Sequence, residues 1–198
     1  MNFLNLVTKY GFWGVLFLLS QLIITKFFLP RALLIRTPFT IRRLGKIIGG
    51  SNLVTGKGIF IDILDRNAKL ILGKNIKISY NCHIAVMNSV IISDNVLIAG
   101  NVFISDHSHG CYSGDIQSNP NTPPNERKLS VSNILIGENC WIGEGVSILP
   151  GVCIGKGTII GANSVVTKSL PAFVIAAGSP AVILKKWNAN DSKWIKYE

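Results

Sequence analysis

The sequence predicts an all-β fold, a parallel solenoid in which a short strand and a turn repeat along most of the chain. Three observations predict it. An aliphatic residue returns every six positions, at Ile136, Ile142, Ile148, Ile154, Ile160 and Val166. A small residue usually follows it, as in Ile136–Gly137, Ile142–Gly143, Ile154–Gly155 and Ile160–Gly161. The same pattern runs upstream through Leu72, Ile78 and Ile84, slips by two residues, and resumes at Ile92, Ile98 and Ile104. A fixed short period of this kind is the signature of stacked repeats.

Each hexad makes one short strand and one turn, so three of them close a triangular coil of about 18 residues. The aliphatic position fills the interior, where β-branched residues suit a pleated wall. The small residue turns the corner without a Cβ clash. Two positions before each aliphatic return lies another inward site, occupied by Cys140, Val146, Val152, Thr158 and Ser164. Coils are clear over residues 72–89, 92–107, 136–153 and 154–171. A weaker one covers 54–71, where Ile59, Ile61 and Ile63 alternate. The solenoid domain is therefore expected over residues 51–186. Cys82 and Cys140 fall on inward positions and read as core fillers. None of the four cysteines forms a CxxC pair, which points to a reducing compartment and away from a disulfide framework.

The repeat vanishes once, over a loop at residues 107–133 that contains Gly110, Gly114, Pro120, Pro123 and Pro124. A loop this long inside a compact repeat is usually functional. After the last hexad, Pro171 to Pro180 is expected to form a short strand or helix capping the open core, with residues 187–198 as a tail.

The 198-residue chain carries a net charge of +10, unevenly distributed. Lys9, Lys26, Arg31, Arg36, Arg42, Arg43, Lys46 and Lys57 precede the first acidic residue, Asp62. Such a segment seeks an anionic surface. The apolar runs Phe12–Leu19, Leu22–Ile24 and Phe27–Leu29 favour a phospholipid leaflet over nucleic acid. The charge-free run from Tyr10 to Thr25 falls short of the roughly 20 residues a spanning helix needs. Residues 1–50 are thus expected to be an amphipathic, basic helical segment lying in the membrane interface. The alternative is an apolar helix packed on its own domain or on another subunit.

Several stretches carry a family resemblance: Ile142–Gly143, Ile148–Leu149–Pro150–Gly151, Ile160 to Lys168 and Ala177–Gly178–Ser179–Pro180. With the loop, they make residues 59–186 resemble the hexapeptide-repeat acyltransferases, above all sugar O-acetyltransferases of the maltose/galactoside type. The stretch Phe103 to Gly110 is most similar to the subgroup serving lipopolysaccharide O-antigen and capsule synthesis. The resemblance implies a left-handed parallel β-helix, a homotrimer with active sites between subunits, and acetyl-CoA as co-substrate with no metal. It also implies a catalytic histidine where the loop leaves the solenoid, the place of His107.

An imidazole suits general-base removal of a proton from a sugar hydroxyl attacking a thioester. Asp106 or a backbone carbonyl would orient the His107 ring. His83, Asn81, His109 and Trp141 are the candidate acceptor contacts, each with a plain structural alternative. An acceptor-binding asparagine and an acidic residue of the galactoside type are replaced here by Ser79 and Met87, and a serine by Glu144. For acetyl-CoA the resemblance points to Ala162, Thr167, Lys168 and Lys185. Arginine is common in the family at Val182 and Lys185, so only the second keeps a cation.

These features together point to acetylation of a lipid-linked glycan by a cytoplasmic enzyme peripheral on the inner membrane face. Competing readings are a small soluble acceptor, a zinc site using His83, His107 and His109, and a non-catalytic scaffold.

Overall fold

The computed structural model describes residues 3–197; Met1, Asn2 and Glu198, at the extremes of the two terminal segments, lie outside the described residues. Three sheets form the walls of a prism. The first wall stacks six parallel strands: Phe39–Arg43, Ile59–Ile63, His83–Val86, Phe103–Ser105, Ser147–Ile148 and Val165–Val166. The second stacks five, from Lys46–Gly49 to Cys153–Ile154. The third has eight, from Val54–Thr55 through Trp141–Ile142 to Lys193–Lys196. The chain visits the walls in rotation, one strand on each per coil.

The hexad explains the register. On the first wall Ile61, Ile84, Ile104, Ile148 and Val166 stand in one inward column. Ile78, Ile98, Ile142 and Ile160 do the same on the third. The intermediate sites Cys140, Val146, Val152, Thr158 and Ser164 are also buried. Burial pushes the thiols of Cys82 and Cys140 above their ordinary pKa, which suits core filling and not nucleophilic chemistry.

Corners divide their work between two positions. The glycine after the aliphatic residue sits where coils touch: a Cβ on Gly143 would lie 2.7 Å from the Ala162 nitrogen. The left-handed backbone falls two residues later, at Asn139, Gly145, Gly157 and Asn163. Asparagine and glycine tolerate that conformation best. The two-residue slip after Ile84 is a longer side of the triangle, where Ile84 and Val86 both point inward.

The solenoid starts earlier than the periodicity indicated. Leu34 bridges to Val54, and Phe39–Arg43 and Lys46–Gly49 pair in parallel with Ile59–Ile63 and Lys69–Leu72. Residues 34–50 are therefore solenoid and not helix. Their alternation is short and broken by Arg42, Arg43 and Gly45, which hides it from a six-residue template. At the other end, Val174–Gly178 continues the third wall, and Ala181–Asn188 and Lys193–Lys196 fold back on it antiparallel. The expected cap is thus strand, and most of the expected tail belongs to it.

The helix α1 spans Phe3–Phe28, interrupted at Gly11, whose φ is 68°. Two of its polar side chains face inward. Gln21 and Thr25 are buried against the solenoid: Gln21 Oε1 accepts from the Thr37 N–H at 2.6 Å, and Thr25 Oγ1 from that of Ile35 at 2.8 Å. Lys26 Nζ donates to the carbonyls of Pro30 and Ala32. Trp13, Ile23 and Phe27 face outward, 79%, 73% and 83% exposed. The stretch Val7–Phe28 has a mean hydropathy of 1.6, and by length and composition it is long enough to cross a membrane. The sequence suggested an amphipathic helix; the folded one buries Gln21 and Thr25 against the solenoid, while Lys9, Ser20 and Lys26 stay exposed beside much of its apolar surface.

Candidate active site

The strand Phe103–Ser105 is the fourth on the first wall, and after it the chain leaves the prism at Asp106. His107–His109 pairs antiparallel with Leu129–Val131, so the loop departs and returns as a hairpin. His107 is thereby fixed at the root of the loop.

Asp106 is fully buried, and its position is determined by backbone. Oδ1 accepts the N–H of Met87 at 2.7 Å; Oδ2 accepts those of Asn88 and Ser89 at 2.8 and 2.9 Å. His107 Nδ1 lies 3.1 Å from Oδ1. Burial alone would raise the Asp106 pKa. The hydrogen bonds from His107 and from the Asn88, Met87 and Ser89 backbone outweigh it and hold the carboxyl below the usual carboxylate range. An ionised carboxylate only accepts, so in the neutral ring the proton sits on Nδ1 and the Nε2 lone pair is free. Ser105 Oγ, 3.3 Å from Nδ1, donates to the His107 carbonyl at 2.9 Å. Asp106, and not a backbone carbonyl, is therefore what orients the ring.

His107 opens on a cavity of about 700 Å³ walled by Phe103, Ser105, Tyr112, Leu149, Pro150 and Thr167. Arg127 braces the overhanging loop. Its guanidinium donates to Tyr112 OH at 2.8 Å, to the Thr122 carbonyl at 2.8 Å and to that of Pro120 at 3.1 Å. Tyr112 in turn donates to the His109 carbonyl.

Of the other predicted residues, Thr167 alone lines the His107 cavity. His83 stands on the same wall, between the rings of Phe60 and Phe103 at 4.7 and 5.4 Å. Its Nε2 is 3.5 Å from Asp62 Oδ2, within ion-pair distance but without hydrogen-bond alignment. Arg42 grips the same carboxylate with two 2.6 Å bonds and keeps it below the usual carboxylate range. Sequence reasoning missed the Arg42–Asp62 pair, whose members are joined only by strand register. His109 is exposed on the hairpin, pairing with Leu129. Asn81 takes a left-handed corner, with φ of 53°. Trp141 and Lys185 belong to the third wall, where Trp141 edges a separate groove with Lys77 and Ser79. Ala162 and Lys168 are exposed at corners after the third and first walls. One chain therefore gathers His107 and Thr167 but leaves Trp141 and Lys185 on another wall. Among the described residues, no three His, Cys, Asp or Glu side chains come together to hold a metal, so the three histidines are not one cluster.

Residues 133–168 match the family model described as bacterial transferase hexapeptide (six repeats). Over 194 residues, 98% of each chain, the protein is 40% identical to WbbJ of Escherichia coli K12, which is named for lipopolysaccharide biosynthesis O-acetyl transfer. It is 38% identical over 128 residues to the galactoside O-acetyltransferase of the same organism, covering 62% of this chain and 57% of that one. Among solved structures, a galactoside acetyltransferase in complex with coenzyme A superposes with a TM-score of 0.60 at 32% identity, over 77% of this chain and 72% of that one. A maltose O-acetyltransferase from Clostridium difficile 630 gives 0.57 at 33%, over 70% and 68%. The repeat, the prism and these likenesses agree: the chain belongs to the hexapeptide-repeat acyltransferases, with their left-handed parallel β-helix.

Proposed function

We propose that the protein transfers acetyl from acetyl-CoA to a sugar hydroxyl, with His107 as general base. The observation that carries this reading is the Asp106–His107 pair at the mouth of a cavity of about 700 Å³. The relatives named above as O-acetyltransferases, and the neighbour that binds coenzyme A, support the co-substrate and the sugar acceptor.

His107 Nε2 takes the hydroxyl proton as the sugar oxygen attacks the thioester carbonyl. Backbone N–H groups of the coil stabilise the oxyanion. Collapse of the tetrahedral intermediate expels the CoA thiolate, which recovers the proton from the imidazolium. Thr167, Ala162, Lys168 and Lys185 serve acetyl-CoA, the lysines as point charges for its phosphates. A groove between two copies in a trimer would bring Trp141 and Lys185 of one chain towards His107 of the next, uniting the residues that a single chain keeps apart.

The acceptor is a glycan on a lipid carrier at the cytoplasmic leaflet. What supports this is the outward apolar face of α1 and the absence of acidic residues before Asp62. A free sugar would not require either feature.

The test is acetyl-CoA turnover with membranes bearing lipid-linked saccharide and with free sugars, using wild type and His107→Ala. Wild type should release CoA thiol faster on the lipid-linked acceptor. His107→Ala should bind acetyl-CoA normally and turn over about 100-fold or more slowly. Near-normal turnover in the variant would remove His107 from the mechanism, and preference for free sugar would remove the lipid carrier.

A further inference from the structure

Where α1 meets the first coil there is a second cleft, of about 300 Å³, that the acyl-transfer site does not use. Its walls are apolar, from Phe28, Leu29, Ile47, Ile48, Leu53 and Leu72, and Arg31 and Arg43 also line it. Both arginines are exposed, and among the described residues neither guanidinium has a hydrogen-bond or ion-pair partner. Opposite charge does not reach the chain until Asp62, which Arg42 already engages.

The cleft is flanked by large apolar side chains that face outward: Phe27 on α1, and Leu33 and Leu44 beside the first coil. An apolar slot with two unpaired guanidinium groups, continuous with an outward apolar helix, is complementary to one class of ligand. We infer that this cleft holds the phosphate of an anionic membrane lipid, with Arg31 and Arg43 on the phosphate oxygens and the hydrocarbon running along Phe27 and Phe28. Guanidinium donors in a fork match phosphate oxygens, and two of them converging on one cleft bind a phosphate better than scattered surface charge does. The end of the solenoid, and not the helix alone, then sits on the leaflet.

This inference rests on the membrane reading above, and the experiment separates the two. Full-length protein is sedimented with vesicles of phosphatidylcholine alone and with one-third phosphatidylglycerol. Wild type is compared with Arg31→Gln/Arg43→Gln and with Lys46→Gln/Lys69→Gln. The lysine pair removes equal charge from the two strands beside the cleft, Lys46–Gly49 and Lys69–Leu72, at exposed positions outside its lining. Acetyl-CoA hydrolysis without acceptor reports folding of each variant.

The arginine pair should weaken binding to anionic vesicles at least 10-fold beyond the lysine pair, with hydrolysis unchanged and little effect on phosphatidylcholine. Equal losses in both variants mean diffuse attraction that counts charges only, and overturn the cleft while leaving membrane binding intact. Failure of wild type to bind either vesicle overturns the membrane reading and the cleft with it.

Discussion

Asp106 Oδ1 lies 3.1 Å from His107 Nδ1 while the same carboxylate caps three consecutive backbone N–H groups, those of Met87, Asn88 and Ser89. The two residues are neighbours in sequence, yet the carboxylate is anchored on the coil before. The ring inherits its orientation from the solenoid wall. The ring is therefore held by the wall and not by the loop beyond the hairpin.

Asp106→Asn should impair activity more than it impairs folding. An amide places an N–H₂ group among donors, and nothing then fixes the Nδ1–H tautomer of His107. Turnover should fall by two orders of magnitude or more, with acetyl-CoA affinity within about threefold of wild type. Leaving buried donors poorly matched should cost about 1–3 kcal/mol in urea unfolding. Steady-state kinetics and denaturation of the same preparation check both.

Acid should destabilise the wild type through the same residue. Asp106 and Asp62 both have folded-state pKa values below the ordinary carboxylate range. Their contribution is present above the unfolded value of about 3.9 and is lost as pH falls through the lower folded values. Urea midpoints should drop below about pH 4. In Asp106→Asn the drop should be shallower, because one of the two linked protons is gone.

Arg127→Ala should act on the acceptor and not on the chemistry. Removing its three hydrogen bonds loosens the loop and leaves Tyr112, which lines the cavity, only its bond to the His109 carbonyl, but touches neither Asp106 nor the core. Acceptor KM should rise about 10-fold or more with kcat changed less than about threefold. A kcat loss with unchanged KM would show that the loop positions His107 after all.

Ile142→Ala tests the column. Ile142 is fully buried between Ile98 and Ile160. Truncation should cost about 2–5 kcal/mol. Because each coil leans only on its neighbours, proteolysis should open the C-terminal coils first. Limited digestion followed by mass spectrometry reads this out.

The inward columns were legible because every sixth residue is aliphatic and nothing else in the chain competes with that period. The place of His107 at the root of the loop was legible because the repeat stops there. Two things were not. The first coil escaped notice because Phe39–Arg43 and Lys46–Gly49 show only a brief alternation, and long-range pairing, not a repeat, makes them strands. The orientation of α1 also escaped, since composition marks a helix as apolar but not which residues it turns inward. Gln21 and Thr25 are buried because the chain from Ile35 to Thr37 offers them partners, and no local pattern announces that. Asp106 was recognised as one of two ways to hold His107. Choosing between them required knowing that Met87 to Ser89 pass within hydrogen-bond reach.

The excursion between Asp106 and Ile134 leaves the stacking beneath it undisturbed. Ile104 still stands on Ile84 and under Ile148, and Ile136 takes its place between Ile92 and Ile154. Closing a longer or shorter loop at that point changes the free energy only slowly with its length. The segment overhanging the acceptor cavity can therefore be rewritten by insertion, deletion or exchange while the frame that aims His107 stays the same.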